Sequence, residues 1–143
     1  MRRPALILLA SVLALNVSAA LAAKMTYSAT LNAASEVPPK ESDGTGIVQV
    51  EYDTDTKAIN YTVNYSGLTG PATAAHFHGP AAAGVNAGVA VPVKGALLSP
   101  IEGSATLTDE QAKDLQAGQW YFNIHTAANP GGEIRGQLQE LSK

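Results

Sequence analysis

Ala74-Ala75-His76-Phe77-His78-Gly79-Pro80 and Tyr121-Phe122-Asn123-Ile124-His125-Thr126 decide how this chain is read, and together they hold all three of its histidines. Side chains alternate faces along an extended strand, and residues two apart share a face at roughly 6.5–7 Å. His76 and His78 therefore point one way and Phe77 the other. In the second stretch Trp120, Phe122 and Ile124 share a face, leaving Tyr121, Asn123 and His125 on the opposite one. In both stretches the large apolar residues have one face and the histidines lie away from it. If the two strands are neighbours in one sheet, three imidazoles converge.

Imidazole nitrogen suits zinc, copper, iron and nickel, and three such ligands leave open positions on the ion. His76, His78 and His125 are thus candidate ligands of one copper or zinc ion. Asn123 shares their face and is a candidate partner that orients them. Glu133 lies in the turn after His125 and is a candidate fourth ligand or ligand-orienting carboxylate. It is equally well explained by a charge pair with Arg135. The competing account of the histidines is architectural, with the rings hydrogen-bonding loop carbonyls at one end of the sheet.

Outward from these strands the chain reads as all-β. Met25–Asn32, Gly44–Tyr52, Ala58–Ser66, Val89–Val93, Ile101–Leu107 and Glu133–Gln139 all read as strands. In the clearest case Ile59, Tyr61, Val63 and Tyr65 form an inward stripe. Pro92 marks an edge strand, and Asp53 and Asp55 suit a hairpin turn better than a calcium loop. Ala81–Gly88 lacks the lysine and spacing of a phosphate loop. Glu36, before two prolines, reads as a solvated loop charge. One short helix follows Thr108, which with Gln111 makes a capping box. Gly118 suits the helix end.

Residues 1–22 read as a secretory signal peptide, with Arg2 and Arg3, an apolar run Pro4–Leu15 and the cleavage pattern Ala20-Leu21-Ala22. The apolar run is short for a membrane span, which needs about 20 residues. The expectation is a single domain over residues 23–143 in the periplasm or outside the cell, with no transmembrane segment after cleavage. Those residues carry seven basic and twelve acidic side chains, which argues against a nucleic-acid partner. The chain has no cysteine, which excludes disulfides, a cysteine-linked lipid and a blue-copper site.

A longer pattern runs through the same residues. Ala74–Ala81, Gly84-Val85-Asn86 and the run Asn123–Leu138 closely resemble the CHRD domain, named after chordin. Glu36-Val37-Pro38-Pro39, Gly67-Leu68 and Leu107-Thr108 fit it as well, so the resemblance covers about Thr26 to Leu138. It implies an antiparallel, Greek-key-like β-sandwich of about eight strands, similar to copper–zinc superoxide dismutase, with one short helix. It does not imply dismutase activity, because such a metal pair needs about six histidines and an aspartate. CHRD domains occur in repeats in chordin, an extracellular antagonist of bone morphogenetic proteins, and singly in secreted bacterial proteins. Growth-factor binding does not carry over to a chain with one copy. Three readings follow, in order: a secreted metal-binding domain; an envelope or extracellular protein-interaction module, marked by an exposed aromatic such as Tyr121; and a mononuclear metalloenzyme.

Overall fold

A computed structural model describes residues 23–141 of the chain. The signal-peptide expectation falls on residues 1–22 and lies outside the described residues. The strands are β1 (Lys24–Asn32), β2 (Thr45–Asp53), β3 (Ala58–Ser66), β4 (Ala72–His78), β5 (Val89–Pro92), β6 (Ile101–Thr106), β7 (Tyr121–Thr126), β8 (Ile134–Gln137) and the two-residue β9 (Gln139–Glu140). The helix α1 spans Asp109–Gln116, and a 3-10 turn covers Ala33–Ser35. The strand order is β5-β4-β7-β8-β1-β2-β3-β6, antiparallel throughout. Four strands form each half of a nearly closed sandwich. The halves meet where β1 pairs with β8 through Asn32 and Arg135. At the open seam, between β5 and β6, Gln111 of α1 donates its amide to the Ala90 carbonyl at 2.9 Å.

Alternation decides which residues fill the interior. Tyr27, Ala29 and Leu31 of β1 are buried, as are Ile59, Tyr61 and Val63 of β3. Phe77 links the halves, meeting Tyr61 edge-on at a centroid distance of 5.0 Å and Phe122 at 4.7 Å. Each buried aromatic of this kind contributes about 1.5–3 kcal/mol by leaving water. That energy fixes the register of β4, because a slip by one residue would expose Phe77 and bury the histidines. Packing of Phe77 inward is thus what sends His76 and His78 to the other face.

Most of the predicted elements are present, including the capping box, in which Thr108 and Gln111 exchange bonds of 3.2 and 3.0 Å. The last strand differs. It divides at Leu138, which is buried and whose N–H bonds the Trp120 carbonyl at 2.9 Å, and Gln139 and Glu140 pair with β1. The outer face of β7 also differs from expectation. Tyr121, Asn123 and Arg135 are all buried, because the loop over residues 79–88 and the segment after β1 fold across it. Among the described residues no helix is long and apolar enough to cross a membrane.

Candidate metal centre

β4 and β7 are neighbours, with His76 opposite Asn123 and His78 opposite Tyr121. The three imidazoles therefore meet on the outer face, and each offers a nitrogen within 4.8 Å of the other two. His76 Nδ1 lies 3.0 Å from His125 Nε2. The Asn123 side-chain oxygen lies 2.9 Å from His78 Nε2 and 3.0 Å from His125 Nε2. His78 is buried, whereas His76 and His125 are half-buried, so the cluster is reached from solvent on their side.

The far nitrogens face backbone carbonyls. His78 Nδ1 sits 3.0 Å from the Ala87 carbonyl and His125 Nδ1 sits 2.9 Å from the Pro130 carbonyl. A carbonyl only accepts, so a neutral ring that keeps this bond carries its proton on Nδ1. Both Nε2 lone pairs then point at the cluster. The rings do hydrogen-bond loop carbonyls, as the architectural account expects, and those bonds are also what aims the free nitrogens inward. Burial lowers the pKa of His76, helped by the neighbouring His125 and His78. Burial also lowers that of His78, against hydrogen bonds to the Ala87 carbonyl and the Asn123 side-chain oxygen that raise it.

A second set of contacts clamps the loop over the cluster. The His78 and Tyr121 rings stack at 4.7 Å with an interplanar angle of 5°. The Arg135 guanidinium lies 3.4 Å from the Tyr121 ring centre. β4 and β8 flank β7, so the tyrosine is held between imidazole and cation, an arrangement favoured when it is removed from water. Arg135 donates to the Asn86 side-chain oxygen at 2.7 Å and to the Val85 carbonyl at 2.6 Å. The Tyr121 hydroxyl exchanges bonds of 3.1 and 3.2 Å with Ala87. Tyr121 therefore forms no exposed aromatic patch. Among the described residues the exposed large apolar ones are Ile47, Val85, Val89, Leu98 and Leu141, none of them aromatic.

Glu133 stands apart from the histidines. It is fully buried and accepts five hydrogen bonds: from Ser42 Oγ (2.5 Å), the Thr69 backbone N–H (2.8 Å), Thr69 Oγ1 (2.6 Å), Thr126 Oγ1 (2.5 Å) and Asn129 Nδ2 (3.2 Å). It forms no ion pair with Arg135, which is occupied by the 79–88 loop. Burial pushes its pKa up, but the bonds from Ser42, Thr126 and Thr69 outweigh burial and bring it down to about 2. A folded-state pKa below the unfolded value adds stability that is present above the unfolded pKa and lost as pH falls through the folded one. The contribution is on the order of 3 kcal/mol. Acid titration should therefore show stability falling between the ordinary glutamate pKa of 4.5 and pH about 2, and Glu133→Gln should flatten that slope. An unchanged slope in the variant would assign the acid sensitivity elsewhere.

Glu36, read from the sequence as a solvated charge, is buried beside Asn123. The 3-10 turn, capped by the Asn32 side chain, aims it inward. Burial raises its pKa, and Arg135 and Asn123 draw it back down. Nothing in the local pattern signals this, because the burial comes from a loop some 50 residues away in sequence, where Asn86 bonds the Val37 carbonyl.

The family model for the CHRD domain matches residues 27–138. Comparison with curated proteins and with solved structures gave no match.

Proposed function

The chain belongs to the CHRD domain family, and on that premise we propose that it is a secreted or periplasmic module that holds one copper or zinc ion between His76, His78 and His125. One observation carries this reading. The Ala87 and Pro130 carbonyls force two imidazole lone pairs toward the same point, where the Asn123 oxygen adds further lone pairs. Three acceptors facing one another repel, and a cation among them relieves that repulsion. A metal ion satisfies all three at once.

The donor set fits the ion chemically. Neutral imidazoles with their far N–H groups on carbonyls are oriented ligands of raised basicity. Export is supported by the charged and apolar residues at the start of the chain and by the secreted context of the family. The two half-buried histidines would leave the ion within reach of a small ligand or a metal donor.

The test is metal content after expression with export, followed by copper(II) and zinc titration of the metal-free protein. The expected result is one equivalent of one of the two ions per chain. Protein that emerges empty and binds neither ion more tightly than about millimolar would overturn the proposal.

A further inference from the structure

We infer that the fourth donor is the side-chain oxygen of Asn123, held toward the ion by Glu36, and that the donors meet at right angles suited to copper(II); this rests on the three-histidine site proposed above. Going round the cluster, His76 Nδ1 to His125 Nε2 is 3.0 Å, His125 Nε2 to Asn123 Oδ1 is 3.0 Å, and Asn123 Oδ1 to His78 Nε2 is 2.9 Å. With metal–ligand bonds of about 2.0–2.1 Å, neighbouring ligands stand about 2.8–3.0 Å apart at right angles and about 3.3–3.4 Å apart in a tetrahedron. The three observed edges match the right-angle value. Right-angled pairs of nitrogen and oxygen donors suit copper(II), whereas a structural zinc site is tetrahedral.

The amide is held with its oxygen toward the imidazoles. Its nitrogen faces the buried Glu36 carboxylate, whose Oε1 has no close hydrogen-bond partner among the described residues. The attraction is between charge and dipole rather than a short hydrogen bond. Reversing the amide would set its oxygen against a carboxylate and its N–H groups against the histidines. The space for this contact comes from Gly132. A Cβ there would fall on both Glu36 Oε1 and Asn123 Nδ2, and its φ of +123° is one that other residues rarely adopt. Glu36 is therefore a positioning residue: it touches the amide, not the ion, and it decides which end of the amide the ion meets.

The test compares the wild-type chain with Asn123→Ala and Glu36→Gln, using copper(II) and zinc affinities by chelator competition and the electron paramagnetic resonance spectrum of the copper form. The wild type is expected to give an axial spectrum with nitrogen splitting from imidazoles. In Asn123→Ala the copper affinity should fall about tenfold or more, the spectrum should shift, and zinc affinity should change less than about threefold. Glu36→Gln keeps the volume and frees the amide to turn, so it should shift the copper spectrum in the same direction. It carries the test if Asn123→Ala fails to fold. A wild type that binds copper while both variants keep its affinity and spectrum would overturn the Asn123 assignment and leave the three-histidine site standing. A copper spectrum of tetrahedral character would overturn the right-angled arrangement of the donors. Absence of any binding would overturn both readings together.

Discussion

Glu133→Ala is expected to destabilise the folded domain by about 3–5 kcal/mol, the cost of leaving several buried donors without their acceptor. The carboxylate ties its own turn, through Thr126 and Asn129, to two segments distant in sequence, through Ser42 and Thr69. The hydroxyls can rotate toward other partners, but the Thr69 backbone N–H, bonded at 2.8 Å, cannot. For a domain of this size the loss corresponds to a melting-temperature drop of roughly 10–20 °C. Glu133→Gln should cost about half as much, since one amide oxygen remains to accept and the new N–H groups meet hydroxyls that can turn to receive them. Thermal and urea unfolding of the two variants give these values directly. Metal titration of the folded Ala variant separates the alternatives for this residue. A carboxylate that ligates the ion would take the affinity with it, whereas the hydrogen-bonded cage leaves it within about threefold. A mild loss of stability together with lost metal binding would reverse the assignment of Glu133 to architecture.

The features read correctly from the sequence are those governed by local alternation. Phe77 between two histidines fixes the β4 faces, and Trp120, Phe122 and Ile124 fix those of β7, so the convergence of His76, His78 and His125 needs only that the two strands pair. The helix is equally local, since Thr108 and Gln111 are three residues apart and satisfy each other. What escaped is whatever depends on loops folding back over a sheet. Tyr121 and Arg135 have the alternation of outward residues, yet the 79–88 loop buries both. Glu36 follows a strand and precedes two prolines, a setting that fits a solvated charge, and its burial depends on Asn86 and Gly132 far along the chain. Glu133 sits close to His125 in sequence, but β8 begins by carrying it toward Ser42 and Thr69, away from the imidazoles. The alternating pattern therefore located the three histidines, while the groups that orient them lie in loops whose return paths no periodicity encodes.

The second large effect is expected from His78→Ala, which should weaken metal binding by about a hundredfold or more, beyond the 10–100-fold typical of losing a group that merely orients a ligand. His78 is the most buried of the three histidines and the one tied most closely to its surroundings, through the Ala87 carbonyl, the Asn123 oxygen and the Tyr121 ring. Its removal could in principle act by loosening the loop rather than by deleting a ligand. The structure separates the two. Ala87 keeps both of its bonds to the Tyr121 hydroxyl, and Arg135 keeps its hold on Asn86 and Val85, so the loop stays in place. Loss of the stacked ring should then cost only about 1–2 kcal/mol of stability. His76→Ala provides the control, because that ring's close contacts are with His78 and His125, and its Nδ1 bonds only to another histidine. If the site is one ion shared by three imidazoles, both variants should lose affinity to a similar extent, although only His78→Ala disturbs the stack. Affinity that follows the stability loss, falling in His78→Ala and persisting in His76→Ala, would instead mean that the stack and not the ion holds these histidines together.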